Sequence, residues 1–240
     1  MVGRASALLA LVVALVVYYE TTSSLWHWGV WGDVAWISCV LIPAVFALAL
    51  IALPLRSKRI LVPLDVVFVA LAVVLTWIEN DIWSNFARFA AATLVGWSFL
   101  LVFEAVSWVA LVAAIIPFVD SLSVWRGPTK TITTKHPKVF DVLSFAFPSP
   151  GGHSAAQLGM PDVLFFALFL GASARFDLRV WWTFVGMVVG LGLTFAATTE
   201  FQTLGLPALP GIALGFLVPN ADLLWRAIRR PADVSDVSGV

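Results

Sequence analysis

The chain has 240 residues, of which 61% are hydrophobic and 12% charged, and its mean hydropathy is +0.98. A soluble domain of that size cannot hide so much apolar surface, so the composition excludes one and points to an all-α, polytopic transmembrane helix bundle. Fourteen basic residues balance fourteen acidic ones, with no basic stripe to hold nucleic acid, and the lone Cys39 excludes an intrachain disulfide.

The apolar runs are continuous and rich in Leu, Val and Ala, unlike the alternating strands of a membrane β-barrel. The first covers about residues 4–19. Arg4 ahead of it resembles a signal peptide, but Tyr18-Tyr19-Glu20 offers no small-x-small cleavage site, so a retained helix is expected. The second runs from about 34 to 54 and ends at Pro54 and the basic cluster Arg56-Ser57-Lys58-Arg59. The third, 60–78, carries Asp65 one turn inside, where a solvated or capping role is expected. Segments at 86–103 and 105–124 nearly join around Glu104, and Pro117 predicts a kink just before Asp120. Three more follow at 161–174, at 181–198 and from the Gly205–Gly211 stretch to about Trp225. In the penultimate one, Gly186-x-x-x-Gly190 and Gly192 are packing positions.

The reading is a single domain over 1–225, with N-terminal helices in 1–103, a functional part in 104–225 containing a polar loop over 126–157, and a polar tail over 226–240. That makes eight crossings. Basic residues on the inner side would place Arg4 and Arg56–Arg59 inside and send the basic 126–138 loop outside. A ninth, short crossing between 60 and 122, or an external N-terminus, would return the loop to the inner side. Twelve tryptophans, several near segment ends, suit the two interfacial belts of a multi-pass protein. The Ala/Val/Gly/Arg-rich composition suggests a prokaryotic cell membrane.

Two aspartates near segment ends carry the chemistry. A carboxylate at a helix centre in hydrocarbon costs about 2.5–3.5 kcal/mol on insertion scales, so each is a functional candidate. Asp120 lies in Pro117-Phe118-Val119-Asp120, and Asp162 in Gly159-Met160-Pro161-Asp162, on either side of one loop. Two such carboxylates facing each other can share one proton and hydrolyse a peptide bond. The ionised one draws a proton from water and the protonated one donates to the scissile carbonyl. Asp162, in a first helical turn, is the expected base, and Asp120 the acid. A lipid phosphatase is suggested by Pro150-Gly151-Gly152-His153-Ser154, but that chemistry needs a second, downstream histidine, and none follows His153. His153 and His136 are read as loop residues. Glu104, Glu200 and the histidines form no metal spacing, so no metal or cofactor is implied. A proton- or cation-coupled transporter, or a non-catalytic membrane binding protein, is the alternative use of such carboxylates.

Three motifs in one order resemble the presenilin and signal-peptide-peptidase group of intramembrane aspartyl proteases. Asp120 followed by Ser123-Val124-Trp125-Arg126-Gly127-Pro128 is similar to the family's first aspartate motif. Gly159-Met160-Pro161-Asp162 is similar to its Gly-x-Gly-Asp, and Pro207-Ala208-Leu209-Pro210 is identical to the four residues before its last helix. The resemblance covers about 104–225. It implies a presenilin-like bundle, Asp120 and Asp162 as the catalytic pair, and a transmembrane-helix peptide as substrate within the lipid bilayer. It also implies that Gly159, Pro207, Ala208, Leu209 and Pro210 hold the substrate as an extended strand. Two positions depart from the pattern: Val119 stands where the family has tyrosine, and Pro161 where it has a second glycine.

Overall fold

A computed structural model describes residues 2–56, 58–126, 137–152, 155–203 and 205–229. The chain enters through α1 (Val2–Thr21) and a short 3₁₀ turn (Thr22–Ser24). Helix α2 (Val30–Trp36) runs on through a π-helical stretch (Ile37–Leu41) into α3 (Ile42–Ala52). Then come α4 (Lys58–Trp77), α5 (Asp81–Leu100) and α6 (Val106–Arg126). After a short α7 (Pro137–Val142), strands β1 (Ser144–Pro148) and β2 (Ala155–Gly159) form a hairpin. Helices α8 (Met160–Arg175), α9 (Val180–Glu200) and α10 (Leu209–Arg229) complete the chain.

Among the described residues, six helical segments are long and apolar enough to cross a membrane: α1, α2 with α3, α4, α6, α9 and α10. The chain is therefore a multi-pass helical membrane protein, and two of the eight expected crossings, in α5 and α8, are not among these six. Helix α5 carries Asp81 and Arg88 and packs half of its surface inward. Helix α8 has 16 residues; at about 1.5 Å per residue it falls short of the ~30 Å of hydrocarbon. It is an interior helix, with Val163 and every residue from Phe166 to Ser173 buried. The expected polar loop over 126–157 is also corrected, since it contains α7 and most of the hairpin. Residues Lys130, Lys135, His136 and His153 lie outside the described residues. Arg226 and Arg229, expected in the tail, belong to α10.

Small residues set how closely the helices approach. A Cβ on Gly190 would lie 2.3 Å from the Gly211 carbonyl oxygen, and one on Gly186 would lie 2.7 Å from that of Gly215, so α9 and α10 touch backbone to backbone. Gly96 of α5 does the same against the Leu164 carbonyl of α8, at 2.4 Å. Carbonyls at helix ends inside the bundle need donors, because hydrocarbon offers none. Arg56 supplies two at the end of α8, reaching Gly171 O at 2.8 Å and Ala174 O at 2.9 Å, and Arg175 donates to Leu100 O at 2.6 Å. Asp65 is not a capping residue: its Oδ2 accepts from Ser98 Oγ of α5 at 3.0 Å, so it ties α4 to α5.

The start of α9 is latched to α10 by Asn220, which is fully buried. Its side-chain oxygen accepts the Arg179 N–H at 2.9 Å, and its amide donates to Thr183 Oγ1 at 2.7 Å and Phe216 O at 2.8 Å. This latch and the glycine contacts fix where α10 begins. They therefore fix the Pro207–Leu209 segment.

Candidate active site

Asp120 projects from α6 three residues after Pro117, which lies inside that helix, and Asp162 stands at the third position of α8. Gly159 caps α8 in an extended conformation (φ −60°, ψ 144°), Pro161 occupies the first turn, where a missing N–H costs nothing, and the Asp162 carboxylate turns back to the Gly159 N–H. A Cβ on Gly159 would lie 3.2 Å from Asp162 Oδ2. The local sequence thus puts the second carboxylate at a helix start with no side chain before it.

Both carboxylates border one cavity of about 780 Å³. That volume lies within the range of small-molecule and peptide pockets. The third motif meets the pair through its backbone: Leu209 N–H donates to Asp120 Oδ2 at 3.1 Å. The N–H donor makes the setting of Asp120 less apolar than the sequence suggests, as the Gly159 N–H does for Asp162.

Of the five residues expected to hold substrate, Gly159, Pro207 and Ala208 line the cavity. Leu209 and Pro210 do not. They form the first turn of α10, so the segment held out of helix ends at Ala208, whose carbonyl already accepts the Ile212 N–H at 3.2 Å. Leu209 acts on Asp120 through its N–H, and Pro210 touches neither carboxylate nor cavity. The two departures also separate. Pro161 lines the cavity, whereas Val119 is 52% exposed on the outside of α6.

Sequence reasoning missed the wall that β2 forms. All five residues of β2 border the cavity. The hairpin register pairs Ser144 with Gly159 and Pro148 with Ala155, and the Met160 N–H donates to Leu143 O at 2.9 Å. Alternation then points the peptide groups of Ala156 and Leu158 towards β1, and those of Ala155, Gln157 and Gly159 outward. The outward groups of Ala155 and Gln157 have no backbone partner among the described residues, so β2 is an open strand edge at the cavity. The signal for it is the Phe145–Ala146–Phe147 alternation followed by Pro-Ser-Pro-Gly-Gly.

A second missed wall is a stripe on α9: Leu191, Thr194, Phe195 and Thr198. Its hydroxyl hydrogens are spent on their own helix, Thr194 Oγ1 on Gly190 O at 2.9 Å and Thr198 Oγ1 on Thr194 O at 2.8 Å, so this face offers a ligand acceptors but no hydroxyl donor. The π-helical stretch of α2–α3 contributes Ile37, and α3 contributes Ile42. Among the described residues no group of three or more His, Cys, Asp or Glu side chains could hold a metal ion. Comparison of the chain with protein-family models, with curated proteins and with solved structures yields no match.

Proposed function

We propose that the chain is an intramembrane aspartyl endopeptidase, presenilin-like in plan, that cleaves transmembrane helices or signal peptides within the bilayer. The observation that carries this reading is the meeting of two carboxylates from separate helices at one apolar cavity, beside an open strand edge. Helices hide their peptide groups in internal hydrogen bonds, so a substrate must be unwound before attack. An unwound segment then needs new partners in hydrocarbon, where each unpaired group costs several kcal/mol. The outward groups of Ala155 and Gln157 offer them by strand addition. Gln157 itself is kept in place by Asp141, its Nε2 donating to Asp141 Oδ1 at 2.7 Å.

The chemistry follows from the shared proton. Asp120, held by Leu209 N–H, is the ionised partner and draws a proton from a water molecule. That water's oxygen adds to the scissile carbonyl carbon as Asp162 passes its proton to the carbonyl oxygen. Collapse of the tetrahedral adduct breaks the C–N bond: the proton gained by Asp120 goes to the departing nitrogen while an adduct hydroxyl returns a proton to Asp162, which restores the shared-proton pair. These roles exchange those expected from helix position alone.

Cleavage of a single-span substrate by purified protein in lipid tests the proposal, with Asp120→Asn and Asp162→Asn alongside. Product from wild type and none from either variant is expected. Proton or cation flux through wild type without any cleavage would favour the transporter instead.

A further inference from the structure

The β-hairpin has two edges, and the structure treats them oppositely. The outward groups of β2 open on the cavity, while each outward carbonyl of β1 is taken by a side chain from another helix. Ala146 is bonded on both sides of its peptide: Asn85 Oδ1 accepts its N–H at 2.9 Å, and its carbonyl accepts from Asn85 Nδ2 at 3.0 Å and from Tyr19 Oη at 2.7 Å. The Pro148 carbonyl accepts from Tyr18 Oη at 2.8 Å, and Tyr18 Oη in turn accepts from Trp36 Nε1 at 3.1 Å. The Ser144 carbonyl accepts from Arg88 Nη1 at 3.1 Å.

The turn is docked too. Thr22 O accepts the Gly151 N–H at 2.9 Å, and Thr22 Oγ1 donates to Ser149 O at 3.2 Å. Gly151 (φ 86°) and Gly152 (φ 67°) lie in the left-handed region, and a Cβ on Gly152 would meet Ser23 Cα at 3.0 Å. Phe145 and Phe147 anchor the other side of β1 in the core.

An isolated two-stranded hairpin is marginal. Among the described residues, the backbone of this one is bonded from outside along the β1 edge. We infer that Tyr19 and Asn85 are positioning residues for the substrate: they hold β1, and through it β2, as a template formed before substrate arrives. Blocking the β1 edge also leaves a single edge for strand addition, so the added segment lies beside Asp162 rather than against α5. A template ordered in advance spares the binding step the cost of ordering two strands. The inference rests on the protease reading and deepens it.

Tyr19→Phe deletes one hydroxyl and keeps the ring against Phe86 and Phe145. Asn85→Asp keeps the acceptor for Ala146 N–H and loses the donor. The test measures kcat and KM of both variants on the single-span substrate, and fluorescence-detected binding of the same apolar segment as a blocked peptide to the Asp162→Asn form with and without Tyr19→Phe. For Tyr19→Phe, KM and the peptide dissociation constant should each rise about tenfold, the worth of one lost hydrogen bond, with kcat within about twofold. Amide exchange over 143–159 should accelerate by a similar factor. Unchanged KM and peptide affinity with faster exchange would overturn the inference, since the hydroxyl would then serve the fold alone. Should wild type cleave nothing while peptide binding still weakens in Tyr19→Phe, the protease reading falls and the template stands. Silence in both overturns both.

Discussion

At the scale of single residues, the position before a helix decides how much room its first carboxylate has. Gly159 has φ −60°, which alanine adopts without strain, so Gly159→Ala tests the site without disturbing the backbone. Its new Cβ would stand 3.2 Å from Asp162 Oδ2, closer than ordinary contact, and the carboxylate must yield by a few tenths of an ångström. A misplacement of about 1 Å can cost on the order of a hundredfold in rate, so a fall in kcat of about threefold to tenfold is expected, with the unfolding midpoint unchanged. Kinetics and thermal unfolding of the same preparation check this; an unchanged kcat would separate Asp162 from the reaction. Pro161 adds its ring to the cavity wall, one residue from the carboxylate, whereas Val119 faces outward and is no part of the site.

Elements carry these residues to each other, and here the sequence was informative in unequal measure. Long apolar runs located the helices, because hydrocarbon admits little else. The same signal could not tell a spanning helix from an interior one: 161–174 reads as apolar either way, and its length and packing distinguish α8. Asp120, Asp162 and the Pro207–Ala208 pair were legible from three short motifs. The hairpin was not, because its five-residue strands alternate inside a stretch whose average is polar, and its partners Tyr18, Tyr19, Asn85 and Arg88 are remote in sequence. Leu209, expected in an extended segment, stands in the first turn of α10 and meets Asp120 through its N–H.

The contact of α9 with α10 is the element on which the site depends most. Gly190→Val would drive a side chain into the Gly211 carbonyl, backbone against backbone, with nothing flexible to give way. The two helices must part, and with them Leu209 N–H leaves Asp120. Loss of cleavage and destabilisation of about 1–3 kcal/mol are expected, while Gly3→Ala, with open space around it, should be silent in both assays. Retained activity in Gly190→Val would show that the Leu209 contact is dispensable.

Aromatic rings organise the whole molecule from inside outward, since large apolar side chains lie on its surface as well as in its interior. Phe166 of α8 lies 4.0 Å, centroid to centroid, from Phe46 of α3, which meets Phe89 of α5 at 5.4 Å, and that ring meets Phe145 of β1 at 5.4 Å. On its other side α8 stacks Phe169 on Phe216 of α10 at 4.9 Å. The two sets of ring contacts meet at α8, and so join the hairpin, the Asp162 helix and the helix that begins at Leu209. In a bilayer, lipid chains solvate an exposed phenylalanine as well as the protein does, so the stability of these contacts comes from packing without voids. Truncating Phe166 leaves a hole no lipid can fill, and Phe166→Ala should cost about 3–5 kcal/mol. Phe118 of α6 is 72% exposed, and Phe118→Ala should change stability by no more than about 0.5 kcal/mol. Reversible unfolding in mixed micelles compares the two directly. Equal costs would mean that the outer face of α6 is covered by protein. A cost at Phe166 alone places the strain on α8, one turn beyond Asp162, where a loosened core should lower the rate without moving the cleaved bond.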